Sequence, residues 1–386
     1  MSNQTKMNAA TKAINILKEN GYQAYIVGGA VRDYLLKRET NDIDITTNAK
    51  PFEVSRVFSS SKPTGIKYGT VTIYLLDEQI EVTTFRTDGE YLDNRHPSQV
   101  IYGDNAYDDV LRRDFTINGL LMDENLKVVD FVDGRADLEK KVIRAIGDPR
   151  KRFKEDALRI LRAVYFQSKL GFQIEKETRI AMEEQKEDIL NISKERVLME
   201  LIKTIKGKYF KRALKTLDTT GISKVLPGLE KGVSFFIEAK ELPYVDVFFT
   251  ACFALNGGVP SYYPFSNKHR HMYQTASNLA NMHLSFDNNV LFTYGVEMCI
   301  LANKANFFLG RSKLLTKYII EDYDKLPLKS DLDLKLRAQE ILSLTNKKAG
   351  AWLKELQNDL VKMVLDKKIK NTKEELINVL KERGFI

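Results

Sequence analysis

The sequence predicts an α+β chain in which strands and helices share the first part and helices alone make up the rest. Three observations predict it. Apolar runs of strand character fall at residues 25–27, 42–45, 68–75 and 79–85. Gly147, Asp148 and Pro149 form a strong break. Beyond it, apolar residues recur at helical spacing. With a second break over residues 221–228, the expected division is residues 1–148, 149–228 and 229–386. A chain of 386 residues is too long for one ordinary domain.

The elements follow in order. Residues 8–20 carry Ala9, Ala13, Ile14, Ile16 and Leu17 as a helical stripe, and Gly21 closes the helix. Residues 25–27 are a short strand, ended by Gly28 and Gly29, where backbone can approach a ligand closely. Residues 30–37 read as a helix with Arg32 and Asp33 in its first turn. N–H groups at such a turn make an anion site, and Arg32 adds charge to it. Residues 42–45 read as a strand whose alternation sends Asp42 and Asp44 to one face and Ile43 and Ile45 to the other. Two carboxylates side by side call for a cation, and a hard divalent ion such as Mg²⁺ suits them and also binds phosphate oxygens. A phosphate-cradling turn followed by an aspartate pair outlines a phosphoryl-transfer site.

Pro51 opens a helix over residues 51–58, and residues 59–63 are a loop. Residues 68–75 and 79–85 form a hairpin around Asp77 and Glu78. Glu81 lies inside the second arm, either as a third metal carboxylate or as a solvent-facing strand residue. Residues 86–97, of mixed charge and without apolar periodicity, are a loop. Arg112 and Arg113 are forked phosphate donors beside Asp114, which can hold one of them or accept from a sugar hydroxyl; a structural ion pair before the buried segment 115–121 is the other reading. Gly134 suits an αL turn.

Composition narrows the function classes. At 43% hydrophobic and 29% charged residues the chain is of ordinary globular type. It has no apolar run that could span a membrane and no apolar signal segment, so no membrane partner is expected. Cys252 and Cys299 are its only cysteines, which argues against a disulfide framework and fits a cytoplasmic location. Of His96, His269, His271 and His283, the close pair at 269 and 271 is read as surface loop, since further metal ligands are missing around it. The net charge of +8 fits a polyanionic partner and equally a basic protein without one.

Five ordered motifs resemble one family. GGAVRD from Gly28 followed by DIDITT from Asp42 is similar to the nucleotidyltransferase signature of class II CCA-adding enzymes and bacterial poly(A) polymerases. RRDFT from Arg112, with Asn118, resembles the family's ribose-recognition motif, and Gly119 stands where alanine is more usual. Asp130, Gly134 and Asp137 match its hinge segment. Glu155, Asp156 and Arg159 match its EDxxR motif, and residues 191–205 its ISxERxxxEL segment, with Ser193 expected as an N-cap. Residues 86–97 resemble the flexible loop of members that add the terminal A. One departure is Tyr165, where many relatives carry an arginine near the triphosphate.

Residues 155–166 read as one helix, with Asp156, Arg159 and Arg162 on a face away from its apolar stripe. Cytosine and adenine both present an exocyclic amine beside a ring-nitrogen acceptor. A carboxylate next to a guanidinium complements that edge, while uracil and guanine present the reverse polarity. Leaving both side chains unpaired costs roughly a few kcal/mol, or about 10²–10³-fold in selection. An intrahelical salt bridge is the other meaning of Asp156 and Arg159. Most aromatics beyond residue 229 are expected in the core. Lysines at 347, 348, 367, 368, 370 and 373 suit RNA phosphates or a solvated helix face.

The resemblance implies a polymerase-β-like nucleotidyltransferase head, with mixed sheet and helices, on an all-α neck, body and tail. It implies template-independent addition of C, C and A to the 3′ end of tRNA from CTP and ATP, releasing pyrophosphate. Asp42 and Asp44, with Glu81, would hold two Mg²⁺ ions. Gly28, Gly29 and Arg32 would hold triphosphate, Arg113 and Asp114 the ribose side, Asp156 and Arg159 the base, with Arg162 and Tyr165 near the phosphates. An A-adding enzyme, a poly(A) polymerase, a catalytically dead RNA-binding protein and a small-molecule nucleotidyltransferase are the alternatives. A homodimer is open.

Overall fold

A computed structural model describes residues 3–40, 42–88, 100–282 and 285–386. It divides into two compact units, Met1–Pro227 with Tyr262–Pro264, and Gly228–Ser261 with Phe265–Ile386.

The first unit opens with α1 (Asn3–Glu19), β1 (Ala24–Val27), α2 (Gly29–Leu35), β2 (Ile43–Thr47) and α3 (Pro51–Val57). The α1 stripe of Ala9, Ala13, Ile14 and Leu17 is fully buried. Past it, Gly21 takes φ 87°, and the Tyr22 N–H returns to the Leu17 carbonyl, a glycine C-cap as expected. Next come β3 (Ser61–Gly65), β4 (Thr70–Leu75), β5 (Glu78–Thr84), β6 (Arg86–Asp88), β7 (Val100–Tyr102), α4 (Ala106–Leu111), β8 (Leu121–Met122) and β9 (Val128–Val129). Seven strands form one mixed sheet in the order β3-β4-β5-β2-β1-β8-β9. Within it β2 and β5 run parallel, while β1 pairs antiparallel with β2. Ile26, Ile45, Ile73, Ile80 and Val82 fill its buried face.

Several local expectations need correction. The segment expected as a loop over residues 59–63 contains the edge strand β3, which pairs with β4. The hairpin turns at Leu76 and Asp77, both at positive φ (51° and 61°), because Leu75 pairs with Glu78. Arg86–Asp88, expected as loop, is a strand paired with β7, and the rest of the expected loop, residues 89–97, lies outside the described residues. Asp133 takes the αL position (φ 59°), and Gly134 instead opens α5 (Gly134–Lys140). Glycine is needed there because a Cβ would stand 2.2 Å from the Thr116 carbonyl oxygen.

The first unit continues through β10 (Val142–Ile143), α6 (Pro149–Glu155), α7 (Leu158–Leu170), β11 (Gln173–Ile174), α8 (Lys176–Glu184), α9 (Lys194–Ile205), α10 (Phe210–Thr219) and α11 (Ile222–Val225). The single helix expected over residues 155–166 is therefore broken at Asp156. Its side chain accepts from the Leu158 N–H, so it starts a new helix instead of continuing the old one. Ser193 stands at the N-cap position of α9 without a side-chain capping bond.

The second unit is all helical: α12 (Glu230–Glu238), α13 (Val245–Asn256), α14 (Asn267–Met282), α15 (Asn288–Phe308), α16 (Thr316–Asp324), α17 (Ala338–Thr345), α18 (Ala351–Leu365) and α19 (Lys373–Glu382). Gly295 (φ 74°, ψ 163°) breaks α15. Phe236, Phe248 and Phe249 are buried core, whereas Phe235 and Tyr244 are exposed. His269 and His271, expected in a loop, lie exposed on α14. Cys252 and Cys299 are buried free thiols. Lys373 pairs with Glu340, Lys368 with Asp366, and Lys347 sits 4.5 Å from the Phe385 ring centroid. Among the described residues no helix is long and apolar enough to cross a membrane.

Candidate active site

The site begins where β1 ends. Gly28 takes φ 70° and ψ −127°, a conformation that glycine adopts freely and side-chain-bearing residues avoid. The turn delivers α2 with Arg32 and Asp33 already buried in its first turns. A Cβ on Gly28 would lie 3.6 Å from Arg113 Nη1, and one on Gly29 3.6 Å from Arg32 Nη2. Two guanidinium groups therefore flank this backbone turn, the arrangement an oligophosphate needs.

Both arginines are held by carboxylates. Arg32 donates through Nε and Nη2 to Asp33 at 2.9 and 3.0 Å, and through Nη1 to Asn118 Oδ1 at 2.6 Å. Arg113 donates to Asp109 at 2.8 Å, and its buried Nε has no hydrogen-bond partner. Asp109 is fully buried and also accepts from Arg112, Thr46 Oγ1 and the Arg86 N–H. Burial alone would raise its carboxyl, but the guanidinia of Arg113 and Arg112 outweigh that and hold it at about 2.

The acidic edge adjoins this turn. In the sheet register Val27 faces Asp44 across β1–β2, and Asp44 faces Glu81 across β2–β5. Ile43 and Ile45 point into the core, and Asp44 is half-buried on the opposite face. Asp42 is exposed and precedes the strand that was expected to contain it. The Asp44 carboxyl is pushed up to about 6, first by burial, then by the charges of Glu81 and Asp42, against the pull of Arg113.

The donor set suits Mg²⁺, which binds through one or two carboxylates and completes its shell with water and substrate phosphates. Among the described residues no group of three or more His, Cys, Asp and Glu side chains forms a cage by itself. A metal here would thus depend on a ligand's oxygens, and the glycine turn is where those oxygens would sit.

The other predicted residues form two clusters. In the first, Asp114 accepts from the Phe115 N–H (2.8 Å) and Asn118 Nδ2 (3.0 Å) on one oxygen, and from Arg162 Nε (2.7 Å) on the other. Asn118 thus joins Arg32 to Asp114 and Arg162. The Arg32 and Arg162 guanidinia lie 5.3 and 5.2 Å from the centroid of Phe166, and the half-buried Tyr165 ring packs against Phe166 at 5.0 Å.

In the second cluster, Asp156 Oδ2 accepts from Arg196 Nη2 at 2.7 Å. Arg159 donates to Glu155 Oε2 (2.7 Å) and to the carbonyls of Arg152 (2.8 Å) and Arg112 (2.9 Å). The alternative reading, a salt bridge between Asp156 and Arg159, is not among these bonds; each is fixed by a different partner. The fold adds Asp109, Asn118, Phe166 and Arg196 to these clusters. Asn118 and Arg196 lie inside the family's motifs, and the sequence signal for Asp109 is its position three and four residues before Arg112 and Arg113.

Comparison with known proteins assigns a class to this arrangement. A family model of the poly A polymerase head domain matches residues 24–144, one of the RNA- and SrmB-binding site of polymerase A matches residues 171–232, and one of tRNA nucleotidyltransferase domain 2 matches residues 263–380. The sheet with its glycine turn and acidic edge is that of a nucleotidyltransferase head, and such enzymes generally use a divalent metal. The chain is 35% identical to the CCA-adding enzyme of Bacillus subtilis, covering 97% of this chain and 98% of that one. It is 36% identical to the CCA-adding enzyme of Listeria innocua, covering 95% and 96%. The crystal structure of Bacillus stearothermophilus CCA-adding enzyme in complex with CTP matches with a TM-score of 0.83 at 31% identity, over 98% of this chain and 97% of that one. The chain belongs to the family of CCA-adding enzymes, bearing out the resemblance in its motifs.

Proposed function

We propose that this chain adds C, C and A, one nucleotide at a time, to the 3′ end of tRNA, using CTP and ATP without a template. The observation that carries this is the register Val27–Asp44–Glu81, by which the acidic edge adjoins the Gly28 turn. In each cycle the primer 3′-oxygen attacks the α-phosphorus, the bond from that phosphorus to the bridging oxygen breaks, pyrophosphate leaves, and the hydroxyl proton passes to solvent.

Backbone at Gly28 and Gly29, with Arg32, holds the triphosphate. Arg113 and Asp114 bound the ribose side, and Arg162 and Tyr165 lie toward the phosphates. Asp42 and Asp44, with Glu81, would hold two Mg²⁺ ions, which when bound would supply Lewis acidity to the 3′-hydroxyl and offset the charge of the leaving pyrophosphate. Asp156 and Arg159 read the base, and partners such as Arg196 and Glu155 lock them in orientation. A reader that uses no template must be rigid, because loose side chains would adapt to the wrong edge. Residues 1–148 act as the catalytic head, 149–228 as the neck and 229–386 as the tRNA-binding body and tail, in the cytoplasm.

The test is incorporation into a tRNA transcript lacking its CCA end, with Mg²⁺ and CTP, ATP, both, or UTP and GTP. CCA from both nucleotides, CC from CTP alone and nothing from UTP or GTP is the expected result. A added only to tRNA already ending in CC would reassign the chain as A-adding, and a long A tail on unrelated RNA would make it a poly(A) polymerase.

A further inference from the structure

Beyond α7, one cation borders the nucleotide site without a role in the reading above. Lys203, on α9, donates to Glu200 Oε1 at 2.9 Å, and its Nζ lies 5.8 Å from the centroid of Tyr165. Glu200 is buried, and its other carboxylate oxygen has no hydrogen-bond partner. The Lys203 side chain is 44% exposed, so its ammonium is tethered on one side and open on the other. An ammonium has three donors, and the Glu200 bond uses one.

Lys203 lies at the end of a row of cations and rings. The Arg32 and Arg162 guanidinia both lie against Phe166, Tyr165 packs against Phe166, and Lys203 lies over Tyr165. Three cations thus follow two adjacent rings, starting from the arginine that flanks the Gly28 turn. Glu200 also acts electrostatically on Arg162, which puts Lys203 and Arg162 around one buried carboxylate. A polyphosphate anchored at the turn and extended along this row would meet Arg162 and then Lys203. A guanidinium in place of the Tyr165 ring would repel Lys203, whereas the ring face attracts it.

We propose that Lys203, tethered by Glu200 and backed by Tyr165, contacts the terminal phosphate of the incoming nucleoside triphosphate and makes this site prefer triphosphates to diphosphates. This rests on the nucleotide-transfer reading and deepens it.

Calorimetric binding of CTP, CDP and CMP to the full chain, in wild type and Lys203→Met, tests it. The methionine keeps most of the stem and removes the charge. CTP affinity should fall about tenfold, the effect of one charge-assisted contact, with CMP affinity unchanged. The CTP-to-CDP ratio should collapse by the same factor. Lys203→Arg should restore most of the ratio, and if the methionine protein is unstable, Lys203→Gln, which keeps a donor for Glu200 without the charge, takes its place and should show the same collapse. In turnover, KM for CTP and ATP should rise with kcat nearly unchanged. An unchanged CTP-to-CDP ratio in a Lys203→Met protein of wild-type Tm would overturn the proposal and leave Lys203 as a partner of Glu200 only. Failure of the wild type itself to bind CTP would instead overturn the nucleotide-transfer reading on which it rests.

Discussion

Arg196 donates to Asp156 across 40 residues of chain, at 2.7 Å, while Arg159, three residues from Asp156, is tied to Glu155 and two backbone carbonyls. The two side chains proposed to read the base are therefore held by different partners. Arg196→Met should free the Asp156 carboxylate. Discrimination against UTP and GTP should weaken by about 10- to 100-fold before CTP incorporation is lost. Competition assays with all four nucleotides measure this, and unchanged selectivity would mean that the base is read elsewhere. Asp156→Ala should relax selection further.

Asp44 is a carboxylate of the acidic edge proposed to bind the metal. Asp44→Ala should reduce incorporation to background while tRNA retention on a filter stays near wild type. Mg²⁺ should raise the Tm of the wild type but not of the variant. The metal needs the ionised carboxylate, and in the free protein that carboxyl sits at about 6. Apparent metal affinity should therefore be full above pH 7 and drop about tenfold per unit below pH 6. A metal-induced Tm shift of equal size at pH 5 and pH 7.5 would contradict this.

Asp109 contributes to acid stability. Its native value of about 2 lies below the ordinary carboxylate value near 3.9. The stabilisation is therefore present above about pH 4 and is lost as the pH falls toward 2, amounting to about 2 kcal/mol at neutrality. Asp109→Asn leaves Arg112 and Arg113 uncompensated and should cost about 3 kcal/mol. Urea unfolding at pH 7 gives the loss, and unfolding between pH 4 and 2 should show a shallower pH dependence in the variant.

Gly119 tests packing against family habit. An alanine Cβ there would stand 2.9 Å from Val132 Cγ2 and 3.0 Å from Ile146 Cδ1, so Gly119→Ala should cost about 1–3 kcal/mol through overpacking. Val132→Ala in the same chain should recover part of that, and a double-mutant cycle by thermal unfolding reads the coupling.

The sequence by itself determined whatever depends on near neighbours along the chain. Alternation put Ile43 and Ile45 in the core and Asp44 on the other face. Gly28 marked a turn that requires positive φ, and the helical stripe of α1 and the C-cap at Gly21 could be read directly. These follow from fixed covalent spacing and from the strand and helix periods. Even locally, propensity lost to packing at Asp156, where a capping bond broke the helix that the apolar stripe had suggested, and at residues 61–65, where pairing with β4 made a strand of a polar stretch.

The tertiary structure alone decided which polar groups distant in the chain meet. Arg32 reaches Asn118 across 86 residues, Thr46 reaches Asp109 across 63, and Asp156 reaches Arg196 across 40. No period or propensity encodes such pairs. They arise because burying the apolar faces fixes the backbone, and each polar group carried inside must then find a partner or incur a desolvation cost of roughly a few kcal/mol.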